Sequence, residues 1–569
     1  MRLADETSAL QAAGIAENGE PRQNVAMSAS ASEPSTRRAA GIVGLAVVGS
    51  RLFGLAREIV FAAMFGAGKL LDVYIAAFRI PNLLRDLFAE GALSISFTTL
   101  FTRAWDKEGE ASAWELASLI LSAMIFLMGA LCIVAVACAP LLVEATNFGF
   151  HNVPGKFELA VQLTRILFPF ILFVSLAAAV MGMLNARFVF AVPASASTVF
   201  NIVSIVAGVG LAFAFDAGAR ADWRHPVFDQ RALYGVCLGV MLGGLAQLAV
   251  QLPSLYRLGF RFRWRLNLRD PRLGELWALM WPSVIAGAAV QVNVLVNGLF
   301  ASQINGGQSW LACAFRLMQF PIGLFGVSLA TATLPAVTRA FVRGDMKGFG
   351  ATARDSLRLA WFLALPAAAG LAVLAHPIIG LIYQHGRFSA RDTDQTALAL
   401  QAYALGLAGY AAIKVLVPCF YALGQPRTPL RISLIGIAVN LVLNLVGFEI
   451  LHLGHAGLAL TTSAVALINV GQLAFALRKR VEIGGGREWT AFLLKCVLAA
   501  GLCGLAAWGA NHLAESLTAS RLLRAVGLAA AVGLGVVTYF VTARLLGLHE
   551  SGEAWRTIAR RLPGFRRAA

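Results

Sequence analysis

Apolar residues run along this chain in long blocks separated by short polar connections. Blocks of spanning length lie near 40–65, 71–101, 114–145, 158–185, 191–215, 232–256, 273–303 and 308–338, and six more near 354–380, 394–423, 430–451, 456–477, 489–512 and 522–546. Each matches the roughly 20 residues that a helix needs to cross a hydrocarbon core. The pattern predicts an all-α polytopic membrane protein of about 14 transmembrane helices.

The connections alternate in charge. The segment after the sixth block, RLGFRFRWRLNLRDPR, holds Arg257, Arg261, Arg263, Arg265, Arg269 and Arg272 against Asp270 alone. Basic residues also follow the eighth block (Arg339, Arg343, Lys347), the twelfth (Arg478, Lys479, Arg480) and the last (Arg556, Arg560, Arg561, Arg566, Arg567). The connections after blocks five and nine balance instead, with Arg220, Arg224 and Arg231 facing Asp216, Asp222 and Asp229, and Arg387 and Arg391 facing Asp392 and Asp394. Excess Lys and Arg marks the cytoplasmic side of short loops, so the even connections and both termini are expected in the cytoplasm. Residues 1–39, rich in Ala, Ser, Glu and Gln and lacking an apolar signal core, are expected to be a disordered cytoplasmic tail.

Composition agrees: the 569 residues are 58% hydrophobic and 14% charged, with 47 Lys and Arg against 30 acids for a net charge of +17. A basic balance of this size can mean nucleic acid. Here the cations mark topology and form no phosphate-binding stripe, so no nucleic-acid partner is expected. The seven cysteines sit in apolar runs without CxxC spacing, and the eight histidines are dispersed with neither HExxH nor a Walker loop. No enzymatic constellation, cofactor or metal site is expected. A cycle without a nucleotide would draw on an ion gradient, substrate supply or the membrane potential, which is worth about 2.3 kcal/mol per unit charge at 100 mV.

Gly49 to Phe101 breaks the apolar pattern: its two spans carry Arg51, Arg57, Glu58, Asp72, Arg79, Arg85, Asp86 and Glu90. An arginine at bilayer mid-depth costs roughly 2.5–3.5 kcal/mol, so several together predict a polar interior. Depth alone lets Asp72 and Arg103 snorkel at helix ends. Arg51 lies about half a crossing deep and does not fit that reading.

The chain also repeats. Phe78-Arg79 returns as Phe315-Arg316, and LSISFTTLFTRA (Leu93 to Ala104) returns as LATATLPAVTRA (Leu329 to Ala340), about 236 residues and six spans on. An even number of spans preserves orientation, which predicts two parallel six-helix lobes, pseudo-symmetric about the membrane normal, with a binding site between them. The expected units are an N-lobe (40–256), a basic cytoplasmic loop (257–272), a C-lobe (273–480), two further helices (481–546) and a basic tail (547–569). Arginine suits a phosphate site there, as a planar fork of donors that stays charged. In span seven, Gln291, Asn293 and Asn297 either hydrogen-bond a ligand or tie helices together.

SRLFGLARE, GAGKLLDVYIAAF, PNLLRDLFAEGALSISF, PSVIAGAAVQVNVLVNGLFAS, FRLMQFPIGLFGVSLAT and YQHGRF with KVLVPCFYALGQPRTP, in that order, resemble the MurJ (MviN) family of lipid II flippases across residues 40–546. The resemblance implies the fold of the multidrug/oligosaccharidyl-lipid/polysaccharide exporter superfamily, with two lobes around a cationic cavity. Two last helices would form a groove for the lipid tail. It further implies alternating-access transfer of an undecaprenyl-pyrophosphate muropeptide, lipid II, from the cytoplasmic to the periplasmic leaflet for cell-wall synthesis. Arg51, Arg57, Arg85 and Arg316 match its substrate-binding arginines and Asp72 its periplasm-side acid; Arg79, Glu90, Gln291, Asn297 and Gln319 are candidates for gating or cavity support. Two departures stand out. The family commonly reads DRLMEFP where this chain has Phe315 and Gln319, and Asp86 replaces a basic residue. The implied partners are lipid II, membrane lipids and cell-wall synthesis proteins, around a monomer. Two alternatives stay open: an exporter of another polyprenyl-pyrophosphate glycan, or a transport-inactive scaffold acting through its basic loops.

Single cysteines introduced between Arg257 and Arg272 in a cysteine-free background should react with an impermeant maleimide only after the inner membrane is opened. Labelling in intact spheroplasts would reverse the topology.

Overall fold

The computed structural model describes residues 33–87, 94–517 and 520–552. Helix follows helix, with no strand among the described residues. The first half contains α1 (Glu33–Phe65), α2 (Lys69–Leu87), α3 (Ser94–Glu108), α4 (Glu110–Ala137), α5 (Ala139–Asn147), α6 (Lys156–Leu167), α7 (Phe170–Ala186), α8 (Ala191–Phe215), α9 (Ala217–Ala221), α10 (Gln230–Ala249) and α11 (Leu252–Arg257). The second half contains α12 (Pro271–Ala301), α13 (Gly307–Pro321), α14 (Ser328–Val342), α15 (Met346–Val373), α16 (Ala375–Tyr383), α17 (Ala390–Ala422), α18 (Arg427–Leu445) and α19 (Gly454–Arg478). Two helices, α20 (Gly486–Leu517) and α21 (Arg521–Leu545), follow. Glu90, residues 1–32 of the expected tail and most of the basic C-terminus lie outside the described residues.

Eleven helical stretches are long and apolar enough to cross a membrane, several of them running through a break, such as Lys156–Ala186 and Gly307–Val342. This is an integral membrane protein. Among the described residues eleven stretches meet that criterion, against the expected count of about fourteen. The three expected spans outside the eleven coincide with α1, the α2–α3 pair and α12, of which Gln291–Ala301 is a shorter apolar helix.

The duplication recurs in the helix boundaries. The helices α4 and α15 start at Glu110 and Met346 and end at Ala137 and Val373, 236 residues apart at both ends (346 − 110 and 373 − 137). α5 and α16 keep the same offset (375 − 139 and 383 − 147), as do the starts of α8 and α18 (427 − 191). Two breaks in the second half are π-helical: Ile322–Val327, directly after Pro321, and Val446–Ile450. Pro321 cannot donate a helical N–H, and the wider turn beyond it accommodates the fault.

Helix α12 divides its packing. Its first half sends Leu276, Met280 and Val284 into an N-lobe core with Phe97, Phe101, Leu116 and Met183. Arg103 of α3 pairs with Glu275 at the same end. In its second half, Asn297 hydrogen-bonds across to α18 and α19. The basic loop lies along α4, where the Arg265 amide donates to Ser122 Oγ at 3.0 Å.

Glycine sets the closest helix approach. Gly235, Gly239 and Gly243, spaced by four on α10, put their Cα atoms against Leu211–Ala212, Gly208 and Ser204 of α8, leaving no room for a Cβ. Small residues at this spacing let helices pack where lipid offers no hydrophobic drive. Gly239→Leu should therefore destabilise the protein by about 1–3 kcal/mol, read as a lower unfolding temperature in detergent. Gly129→Leu, where nothing lies within 4 Å, should leave it unchanged.

Candidate functional site

The charges of the first two helices converge on one interior space. A cavity of about 440 Å3 lies between α1 and α2 on one side and α12, α13, α17 and α19 on the other. Arg57, Arg79 and Arg316 line it, with Glu58 and Asp86 as its acids and Gln291, Asn297 and Gln319 as polar walls.

Each cation is held differently. Arg57 is 7% exposed and lies over the rings of Phe78 and Phe200, 5.5 and 5.1 Å from their centroids. Its Nε and Nη1 have no hydrogen-bond partner among the described residues. Arg79, half-buried, rests against Gly298 of α12, where any side chain would collide with its guanidinium. Arg316 is paired: its Nε donates to Glu58 Oε2 at 2.8 Å and its Nη2 to Oε1. The acid beside Arg316 thus comes from α1 across the lobe boundary, while Phe315 and Gln319 of α13 bring none.

Not every expected residue reaches the cavity wall. Arg85 pairs with its neighbour Asp86 at 2.9 Å, and only Asp86 lines the space, where Gln291 Nε2 donates to it at 3.5 Å. Arg51 is exposed, and its guanidinium fills the gap left by Gly323 in the π-helical turn. Asn297 lines the cavity, yet its amide is occupied: Oδ1 accepts from Asn440 (3.2 Å) and Asn444 (2.8 Å), and Nδ2 donates to Thr462 (3.0 Å). For Asn297 the interhelical role describes the geometry.

Asp72 lies outside the cavity and does not snorkel; it is fully buried. It accepts four hydrogen bonds: from Lys156 Nζ (2.7 Å), the Gly306 amide (2.7 Å), the Ser309 amide (2.9 Å) and Ser309 Oγ (2.6 Å). The acid of one lobe thereby caps the first turn of α13 in the other. Around it the Gly149 amide donates to Ser302 Oγ, Lys156 to Asn305, and the Arg387 amide to Ala63 O at 2.8 Å. Gly66 and Gly386, at φ +67° and +56°, bring the two backbones together there; a Cβ on either would strike Arg387 O or Ala63 O. All these contacts belong to odd-numbered connections, at the end opposite the basic loop, so the lobes are sealed at that end.

Lys156 and the tyrosines of α17 are functional candidates that sequence reasoning passed over. Lys156 opens its helix and looks like an ordinary helix-end cation; only the fold brings it to Asp72. Glu58 was visible as a membrane-depth acid, but its partner stands 258 residues away.

The family described as "Lipid II flippase MurJ" matches residues 61–541 of this chain. A probable lipid II flippase MurJ of Vibrio cholerae is 33% identical, over 89% of this chain and 95% of the relative. A lipid II flippase MurJ of Burkholderia cenocepacia is 34% identical, over 86% and 93%. Among solved structures, a lipid II flippase MurJ in an inward closed conformation superposes with a TM-score of 0.71 at 24% identity, covering 91% of this chain and 99% of that one. An inward-facing MATE transporter reaches 0.63 at 13% identity, over 76% and 94%.

Removing one partner of a buried pair leaves the other uncompensated, at a cost of about 3–5 kcal/mol. Asp72→Ala should lower thermal stability by that order, and Asp72→Ala with Lys156→Met should recover part of the loss. Additive losses in the double-mutant cycle would mean that the pair is not coupled.

Proposed function

The chain belongs to the lipid II flippase MurJ family, and on that premise we propose that it carries lipid II, a polyprenyl-pyrophosphate muropeptide, between the leaflets of the bacterial inner membrane. The observation that carries the proposal is Arg57, a buried guanidinium that lines the cavity and has two donor nitrogens, Nε and Nη1, without a partner among the described residues. A pyrophosphate presents acceptor oxygens at the spacing of that fork. Arg79 and Arg316 stand in the same cavity and would share the charge, with Arg85 acting through Asp86 at its rim. Arg51, beside the π-helical turn, would meet the headgroup on entry.

The seal formed by Asp72, Lys156 and the Gly66–Arg387 contact closes the end assigned here to the periplasm. The described state would then receive substrate from the cytoplasmic side, with both termini and the basic loop in the cytoplasm. The molecule crosses intact, and we assign the chain no chemical step. It would act as a monomer, with cell-wall synthesis proteins taking up its product.

The polyprenyl tail would stay in lipid along the last two helices. The small residues of α21 are partly spent on packing: Gly527 and Gly535 lie against Ala514 and Ala507 of α20, while Gly533 faces open space. An apolar groove of about 670 Å3 runs instead along α20 at Gly504, Leu505 and Trp508, facing α15, α17 and α19. Moving a tail from bilayer to groove should gain little, since both are apolar, so either surface would guide and not bind.

Arg57→Lys should retain partial flipping because it keeps the charge and loses the fork, whereas Arg57→Ala and Arg57→Glu should abolish it. The assays are growth of a strain depleted of its own lipid II flippase and lipid II transfer in proteoliposomes, at matched protein levels. Equal activity of all three variants would remove Arg57 from the site.

A further inference from the structure

The α13–α17 wall of the cavity is aromatic. Phe315 meets Tyr403 edge to face, centroids 5.3 Å apart at 62°, and meets Tyr410 at 6.5 Å and 73°. Tyr403 and Tyr410 are seven residues apart on α17 and share one helix face. All three rings line the cavity, and neither tyrosine hydroxyl hydrogen-bonds to a described residue. Buried tyrosines ordinarily find a partner for that group, and leucine would fill the same space without placing an oxygen there.

Further polar atoms point to a ligand richer than a phosphate. Tyr74 Oη, Asn82 Oδ1 and Gln308 Oε1 belong to lining residues, are buried, and have no partner among the described residues. Phosphate is an acceptor and cannot satisfy the two carbonyl oxygens. A ligand with hydroxyl and amide donors can. A pyranose ring carries such donors on its rim and presents C–H groups on its faces, which pack on aromatic rings. Acids at 315 and 319 would have offered charge on this wall; Phe315 and Gln319 offer a ring and an amide.

We propose that Phe315, Tyr403 and Tyr410 form a saccharide platform that takes the first pyranose ring of the headgroup, next to the pyrophosphate at Arg57. The inference rests on the transport reading above and deepens it: the cavity distinguishes a glycosylated polyprenyl pyrophosphate from the bare lipid.

The test uses the full chain in detergent and two probes, lipid II and undecaprenyl pyrophosphate, with dissociation constants from native mass spectrometry. Wild type should bind lipid II more tightly. Phe315→Leu and Tyr410→Leu, which keep apolar bulk and lose the ring, should weaken lipid II roughly three- to tenfold and leave undecaprenyl pyrophosphate within twofold. Phe315→Trp should restore the preference, and unfolding temperatures of all variants should match wild type within a few degrees. If a leucine variant unfolds, Tyr410→Phe, which removes only the hydroxyl, should still reduce the preference. Equal loss for both probes, or no loss for lipid II, overturns the platform while leaving the transport reading intact. Wild type that binds neither probe overturns the transport reading and the platform together.

Discussion

Keeping guanidinium groups at membrane depth is the constraint on which this architecture depends. One mid-bilayer arginine costs roughly 2.5–3.5 kcal/mol, and a desolvated cation–π contact returns about 2 kcal/mol. Arg57 over Phe78 and Phe200 is therefore near balance without a counter-ion, and its remaining donors stay available. Arg316 is balanced instead by Glu58 and Arg85 by Asp86. Of these arrangements the Glu58–Arg316 pair is the one that joins the two lobes, and it holds α1 facing α13.

The same economy explains the asymmetry between the two ends. At the sealed end, Asp72 satisfies its charge through one cation and three donors of the opposing lobe, an arrangement that is sound only while the lobes touch. Opening there would hydrate both ions, and water would replace each lost hydrogen bond, so the seal is stable without being permanent. At the basic end the lobes are joined by α12, whose halves belong to different cores. A helix anchored in both lobes transmits their relative movement and limits its extent.

Much of this was legible in the chain. The spans, the even-numbered repeat and the charged stretch from Gly49 to Phe101 followed from apolar block length and the spacing of shared dipeptides. Arg57 and Arg79 were placed in a polar interior, with Arg51 and Arg85, because a lipid-facing helix does not carry so many charges, and Arg316 joined them through the family resemblance. Pairing was not legible. Nothing local tells Glu58 that Arg316 will stand beside it, or Asp72 that Lys156 will, since both depend on how α1, α2 and α6 pack against distant helices. Asn297 was open to two readings, and only the positions of Asn440, Asn444 and Thr462 decide between them. Arg51 was read as half a crossing deep; in the structure it is exposed and lies against Gly323, in a π-helical turn that Pro321 hints at and does not locate.

A carrier must release what it binds, and the charges of the cavity suit that need. Five unopposed arginines would trap a pyrophosphate, because each desolvated contact strengthens the next. Here three arginines line the space with two acids, and one of them, Arg316, is already engaged by Glu58. On the proposed reading, a phosphate that takes the Nε–Nη2 edge of Arg316 would displace that carboxylate, and part of its binding energy would go into exchanging partners across the α1–α13 boundary. Binding would then be coupled to the lobe interface: the ligand would hold most tightly the arrangement in which Glu58 and Arg316 have separated, and the empty carrier would return to the arrangement in which they meet. A ligand can shift a two-state carrier only by its difference in affinity for the two states. The Glu58–Arg316 pair supplies such a difference from residues already in the wall.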